Sequence, residues 1–368
     1  MADERTKVYF TDFHATPQMN MLAKLKKLIT EAGFSDIDFK KKLVALKIHF
    51  GEPGNLAYIR PNYAAVVAKM VKELGGTPFL TDCNTLYKGR RSNAADHLQS
   101  AAENGFSALT AGCNVIIADG LKGTDFKEIE IDQKYCKTAK IGSAIANADI
   151  IISLTHFKGH EMAGIGGALK NIGMGSGSVG GKLEMHSDSK PFIVREDCTG
   201  CEDCVNSCAH DAIHLDSENI AAIDYEKCTG CGQCIAVCQY GAPHAENNAK
   251  YMQEKIMEYS LAVLKNKPAF FINFVMDISP NCDCWHYNDI PIVPDIGILT
   301  STDIVALDRA CADLVNKTGI NPNSIIGQHA GKTDDRFNLV FPHIDWHVGL
   351  DYAEKIGLGK QAYELVKI

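Results

Sequence analysis

The chain has 368 residues and a net charge of −8, with 46% hydrophobic and 22% charged residues. That balance suits a folded protein of two or three domains and gives no electrostatic support to a general nucleic-acid-binding role. No apolar run is long enough to span a bilayer. The charged start MADERTKVYFTDF leads straight into a strand-like run rather than a secretory signal, so the cytoplasm is the expected compartment.

Residues 7–13 (KVYFTDF) read as a strand, and residues 19–33 carry helical periodicity ending at a glycine. A strand follows at 42–50 (KLVALKIHF). Residues 61–76 then read as a helix with proline at its start and glycine after its end. TPFLTD (77–82), NVIIAD (114–119) and ADIIISLTHF (148–157) read as further strands, with helices fitting at about 92–105 and 139–147. This alternation predicts an α/β fold with a mainly parallel sheet and flanking helices. Beyond a cysteine-rich stretch the pattern resumes: a helix at 250–266, a strand at 268–278, and a helix at 301–319 with a Ser or Thr cap. The expected organisation is therefore one discontinuous α/β domain, residues 1–190 and 246–368, interrupted by a small α+β insertion at 191–245.

Eight of the fourteen cysteines fall in that insertion. Cys198, Cys201, Cys204 and Cys208 have the spacing C-x2-C-x2-C-x3-C, and Cys228, Cys231, Cys234 and Cys238 repeat it 30 residues later. In a long chain without a secretory signal, such spacing argues for metal binding rather than disulfides. It resembles the bacterial two-[4Fe–4S] ferredoxin pattern. There the first three cysteines of each run serve one cluster and the fourth reaches across to the other. The resemblance implies Cys198, Cys201, Cys204 and Cys238 on one cluster, and Cys228, Cys231, Cys234 and Cys208 on the second. Ala209 and Gln239 stand where a proline commonly follows the fourth cysteine.

The run HFKGHEMAGIGGALKNIGMG (156–175) begins at the C-terminal end of a predicted strand, where ligands collect in open α/β sheets. Gly159 favours a loop between His156 and His160, and Lys158 and Lys170 suit a phosphate or carboxylate. No Walker A pattern fits. Gly175, Gly177 and Gly180 satisfy G-x-G-x-x-G but do not follow a strand, so the dinucleotide fingerprint lacks its context. His49, Asp82, His156 and Lys158 converge on one rim if their strands are parallel neighbours, with His186 joining from the following segment; the result is a cationic pocket for an anionic ligand. Cys282 and Cys284, in PNCDCW after another strand, are a metal-ligand pair, a redox-active thiol pair, or packing. Asp303 sits where a helix cap belongs. Cys113, Cys136 and Cys311 read as core.

The SLTHFKGHEMAGIGGALKNIGMG run, the ferredoxin-like segment, and the CDCW, PDIG and STDIVALDRA stretches together resemble the ferredoxin-fused proteins grouped as domain of unknown function 362. The resemblance covers nearly the whole chain and brings no established reaction. The expected function is an iron–sulfur oxidoreductase from an oxygen-avoiding setting. Two [4Fe–4S] clusters would pass electrons between a redox partner protein and a small anionic substrate or cofactor. The expected catalytic residues are His156, Lys158, His160 and Lys170. His49, Asp82, Gly164, Gly167 and Asn171 are expected to bind the cofactor. A flavin or a further metal at the rim is compatible with this reading, and an electron-carrier subunit with no reaction of its own is the alternative.

Overall fold

The computed structural model describes residues 5–86, 89–186, 190–230, 233–238, 240–245, 249–329 and 335–368; Cys231 and Gln239 lie outside them. Eight strands form the main sheet: β1 (Thr6–Asp12), β2 (Leu43–Lys47), β3 (Thr77–Asp82), β4 (Val115–Ile117), β5 (Ile150–His156), β6 (Ala269–Val275), β7 (Gly297–Ser301) and β8 (Tyr363–Lys367). Their spatial order is β8-β1-β7-β6-β5-β2-β3-β4. Strands β6, β5, β2, β3 and β4 are parallel neighbours. Strand β7 runs antiparallel to both β6 and β1, and β8 is parallel to β1.

Successive residues of a strand face opposite sides of a sheet. In β2, Val44 and Leu46 join one core with Leu25, Leu28 and Val67, which come from helices α1 (Met21–Glu31) and α2 (Pro61–Glu73). Ala45 faces the other core, built with Ile172, Ile256 and Val305 from α3 (Ala168–Ser176), α5 (Ala249–Leu264) and α6 (Ile304–Lys317). A short helix, α4 (Val179–His186), follows α3. Strand β5 is buried at every position, as a central strand covered on both faces must be. The mixed α/β architecture with a mainly parallel sheet is thus the one expected.

Several local expectations give way. Residues 138–142 form a strand paired with Phe126–Glu130, and only Ser143–Asn147 is helical. The reason is a period of two: Ala139 and Ile141 are buried while Lys140 between them is half-buried. The run after Gly167 is helix α3 despite its glycines. Its Gly173 is there for packing: a Cβ would stand 2.2 Å from the Ile256 carbonyl oxygen of α5. Asp303, expected at a cap position, is the residue that caps α6 rather than a Ser or Thr, accepting the Val305 and Ala306 N–H groups at 2.9 and 3.0 Å.

In residues 190–245, Pro191–Ile193 pairs with Pro243–Ala245, so this segment's two ends lie side by side. Ile213–Leu215 pairs with Ala221–Ile223. The short helices Asp203–Ser207 and Gln233–Val237 recur at the offset of the cysteine repeat. Among the described residues, no helix is long and apolar enough to cross a membrane.

Candidate functional site

Parallel β5, β2 and β3 end on one rim, and the loops beyond them, helix α3 and the segment after β6 enclose a small cavity. His49, Asp82, His156, Lys158, Gly167, Lys170, Asn171 and His186 line it, joined by Lys47, Arg91, Lys182, Cys282 and Cys284. Lys47 escaped the sequence reading; strand alternation places it opposite Leu46, on the cavity side of β2.

The charges are buried and paired. Lys47 Nζ lies 2.9 Å from Asp82 Oδ1 and donates to Asn171 Oδ1 at 2.7 Å. Burial alone would raise the Asp82 carboxyl, but Lys47, His49 and His97 outweigh it and hold the acid well below the usual carboxylate range. Arg91 donates to Glu52 Oε2 at 2.7 Å, and its Nη1 stands 2.9 Å from His49 Nε2. Burial, reinforced by Arg91, pushes His49 down to about 3, so its ring is neutral. Asn171 is fully engaged: its amide also donates to Ser153 and Thr155 hydroxyls at 3.0 and 2.9 Å. It clamps the strand ends rather than offering a free hand to a ligand.

His156 is likewise occupied. Nδ1 meets the Asp283 carboxylate at 2.9 Å and Nε2 meets the Met276 carbonyl at 2.8 Å. Both nitrogens face acceptors, so both contacts are satisfied only when both carry hydrogen. Asp283 is held well below the usual carboxylate range, because His156 and Lys158 overcome the effect of burial. Lys158 Nζ donates to the His156 carbonyl at 3.1 Å and stands 3.6 Å from Asp283.

Lys170 Nζ points at Cys282 Sγ, 3.3 Å away, and the Cys282 and Cys284 sulfurs are 3.2 Å apart. Burial opposes charge on Lys170, but the two sulfurs and Glu161 raise its ammonium above the ordinary lysine value. His160 and Gly164 are not among the residues lining the cavity. His160 Nδ1 accepts the Met162 and Ala163 N–H groups at 3.1 and 3.0 Å. Gly164, at φ 74°, packs against Trp346.

Gly167 starts α3, and the buried Asp308 carboxylate accepts the Ala168 and Leu169 N–H groups at 2.8 and 2.9 Å. Burial pushes this carboxyl up to about 6 despite those donors. A folded value above the unfolded one, about 3.9, stabilises fully below pH ~4 and ceases to do so as pH rises through ~6. Stability should therefore fall by about 3 kcal/mol between pH 4 and 6 from this group, at ~1.4 kcal/mol per pH unit. Thermal melts across that range should show this step in the wild type and lose it in Asp308→Asn.

The remaining predicted residues lie in the 190–245 segment. Cys198, Cys201, Cys204 and Cys238 line one pocket. Cys208, Cys228 and Cys234 line another. Gly200 and Gly230, at φ 69° and 74°, make the turns inside the two CTGC loops. The Ala221 and Ala212 N–H groups point at Cys198 and Cys208 sulfurs at 3.4 and 3.3 Å. Soft thiolate donors with backbone N–H groups aimed at them fit an iron–sulfur group. Among the described residues, no three His, Cys, Asp or Glu side chains converge closely enough to hold a single metal ion.

Fold and cavity define an α/β protein with a cationic strand-end pocket and a cysteine-rich segment. The chain belongs to the family described as Domain of unknown function (DUF362), which matches residues 44–313. No curated protein matches it. Among solved structures, it is similar to the lactate racemase apoprotein from Thermoanaerobacterium thermosaccharolyticum, at 13% identity and a TM-score of 0.40, over 75% of this chain and 52% of that one. The chain thus spans about half the length of that protein.

Proposed function

We propose that this chain is a cytoplasmic iron–sulfur oxidoreductase. Residues 191–245 form a two-[4Fe–4S] ferredoxin-like domain inserted into one α/β domain, and a small anionic substrate or cofactor binds in the rim cavity. The observation that carries the reading is the crossed distribution of cysteines: Cys238 shares a pocket with the first run, and Cys208 with the second. That is the exchange of fourth ligands that two-cluster ferredoxins make. Cysteines spread around a pocket suit a multi-atom cluster. When bound, such clusters supply one-electron transfer.

The cavity residues do the rest. Lys158 and Lys170 present ammonium groups to an anion, and Arg91 lines the same cavity. An ammonium has three N–H donors, so Lys158 keeps directions toward the cavity after serving His156 and Asp283. His156 positions Asp283 rather than moving protons itself, which leaves Lys158 as the group to hold a proton at the ligand.

Anaerobically purified protein should carry about eight irons per chain, four for each cluster. Cys208→Ala and Cys228→Ala should each remove the same half, and combining them should remove no more. Cys208→Ala with Cys238→Ala should remove nearly all. Zinc in place of iron, or additive losses from Cys208 and Cys228, would refute the cluster assignment. Mass spectrometry of the denatured protein identifies any molecule released from the cavity; a cavity empty beside full iron would favour a carrier without its own reaction.

A further inference from the structure

We propose that Cys282 and Cys284 are a redox-active dithiol in the wall of the cationic cavity, with Cys282 attacking and Cys284 resolving, acting on small anionic disulfides. This rests on the cavity as an anion site and is independent of the clusters. Both cysteines are free thiols that line the cavity, 3.2 Å apart, and Cys284 is only half-buried. A disulfide needs a sulfur separation near 2.05 Å, so closure moves the sulfurs by about 1 Å. They sit one residue apart on the loop after β6, so closing the bond strains no distant element.

The surroundings divide the labour between the sulfurs. Lys170 Nζ contacts Cys282 Sγ at 3.3 Å. His49 Nε2 stands 3.4 Å from Cys284 Sγ. The isolated cysteines offer a contrast within the same molecule. Burial pushes the thiols of Cys83, Cys113, Cys136 and Cys311 up, as apolar surroundings do. Cys282 is as deeply buried and goes the other way: the hydrogen bond with Cys284 holds it well below the ordinary thiol range against burial, with Lys170 and Lys158 adding to the effect. Cys284 is raised in turn: its hydrogen bond with Cys282 and its burial both push it up, and charge on Cys282 adds to them. The Lys170 ammonium against Cys282 favours charge on that sulfur over its neighbour, the division an attacking and a resolving cysteine require.

The chemistry balances. The Cys282 thiolate attacks one sulfur of R–S–S–R, forming a mixed disulfide and releasing R–S⁻. Cys284 then gives its proton to the leaving thiolate and attacks Cys282 Sγ, releasing the second R–S⁻, which takes a proton from water. The dithiol loses two electrons and the small disulfide gains them. Lys158, Lys170 and Arg91 select disulfides that carry carboxylates.

The test uses the full chain with dithiodiglycolate as the anionic probe and cystamine as the cationic one, followed by alkylation and peptide mass spectrometry. The expected product is a 282–284 peptide lighter by two hydrogens. Its formation should be at least about tenfold faster with dithiodiglycolate, the low end of what a charged cleft does to association rates. Cys284→Ser should stop at a mixed disulfide on Cys282. Cys282→Ser should leave Cys284 unreacted. Circular dichroism and melting verify that both variants are folded. A folded Cys284→Ser protein with Cys282 unmodified would overturn the dithiol; cystamine reacting as fast would overturn the substrate class. A stoichiometric metal whose removal is needed before the pair reacts would also overturn it. Iron is counted on the same samples: a chain without iron that closes the disulfide sinks only the cluster reading, and one with full iron and an inert pair sinks only this proposal.

Discussion

Asp82→Asn should lower folding stability by about 3–5 kcal/mol, the usual cost of removing one partner from a buried ion pair. Asp82 is the only carboxylate within 4 Å of Lys47 among the described residues, and both side chains are buried. It also lies 3.9 Å from Arg91 Nη1 and from His97 Nε2. With an amide there, the buried Lys47 loses its counter-charge and keeps its contact with Asn171. The denaturant midpoint, followed by circular dichroism, checks this. The exposed pair of Arg90 with Glu103 is the internal control. Glu103→Gln should move the midpoint little, because solvent screens such pairs.

Gly159→Ala should act on two loops at once. Gly159 donates its N–H to the Ser279 carbonyl at 2.9 Å, and a Cβ there would stand 2.1 Å from the Pro280 carbonyl oxygen. Its backbone is not left-handed, so alanine is excluded by the neighbouring chain and not by φ. The methyl must push the 279–284 loop away from the 156–160 segment, separating Asp283 from His156 and Lys158. Overpacking of this kind costs about 1–3 kcal/mol. A loss of one or two kcal/mol raises an open population about 5–30-fold. Iodoacetamide labelling of Cys282 should accelerate by a similar factor, while labelling of Cys113, at the far side of the sheet, stays unchanged.

Strands β2, β3 and β5 were legible because each carries apolar residues in a run bounded by turn or cap signals. Their parallel adjacency then follows from the crossover helices, and with it the meeting of His49, Asp82, His156 and Lys158. What the sequence hid was mostly non-local. Strand β7 is five residues long and gains its identity only from flanking β1 and β6. Residues 139–147 have helix-compatible composition, but pairing with Phe126–Glu130 overrides it. Helix α3 contains Gly173 and Gly175, which argue locally for a loop. The helix holds because Asp308, more than a hundred residues away, caps its start and α5 packs on its glycine face. Nothing local distinguishes Arg90 from Arg91; only the fold shows that Arg90 is exposed and Arg91 buried.

The reversed strand beside β6 has a wider consequence. Val275 pairs with Gly297, so the chain leaves β6 and enters β7 on the same rim. Cys282, Asp283 and Cys284, in the loop between, stay at that rim, and the chain never has to cross the sheet. A parallel β7 would have forced that stretch to travel back along a face and become core. As built, it is a replaceable cap on a fixed frame. Its length and reactive groups can change with the strand order undisturbed, so one scaffold can carry several chemistries by exchanging a single connection.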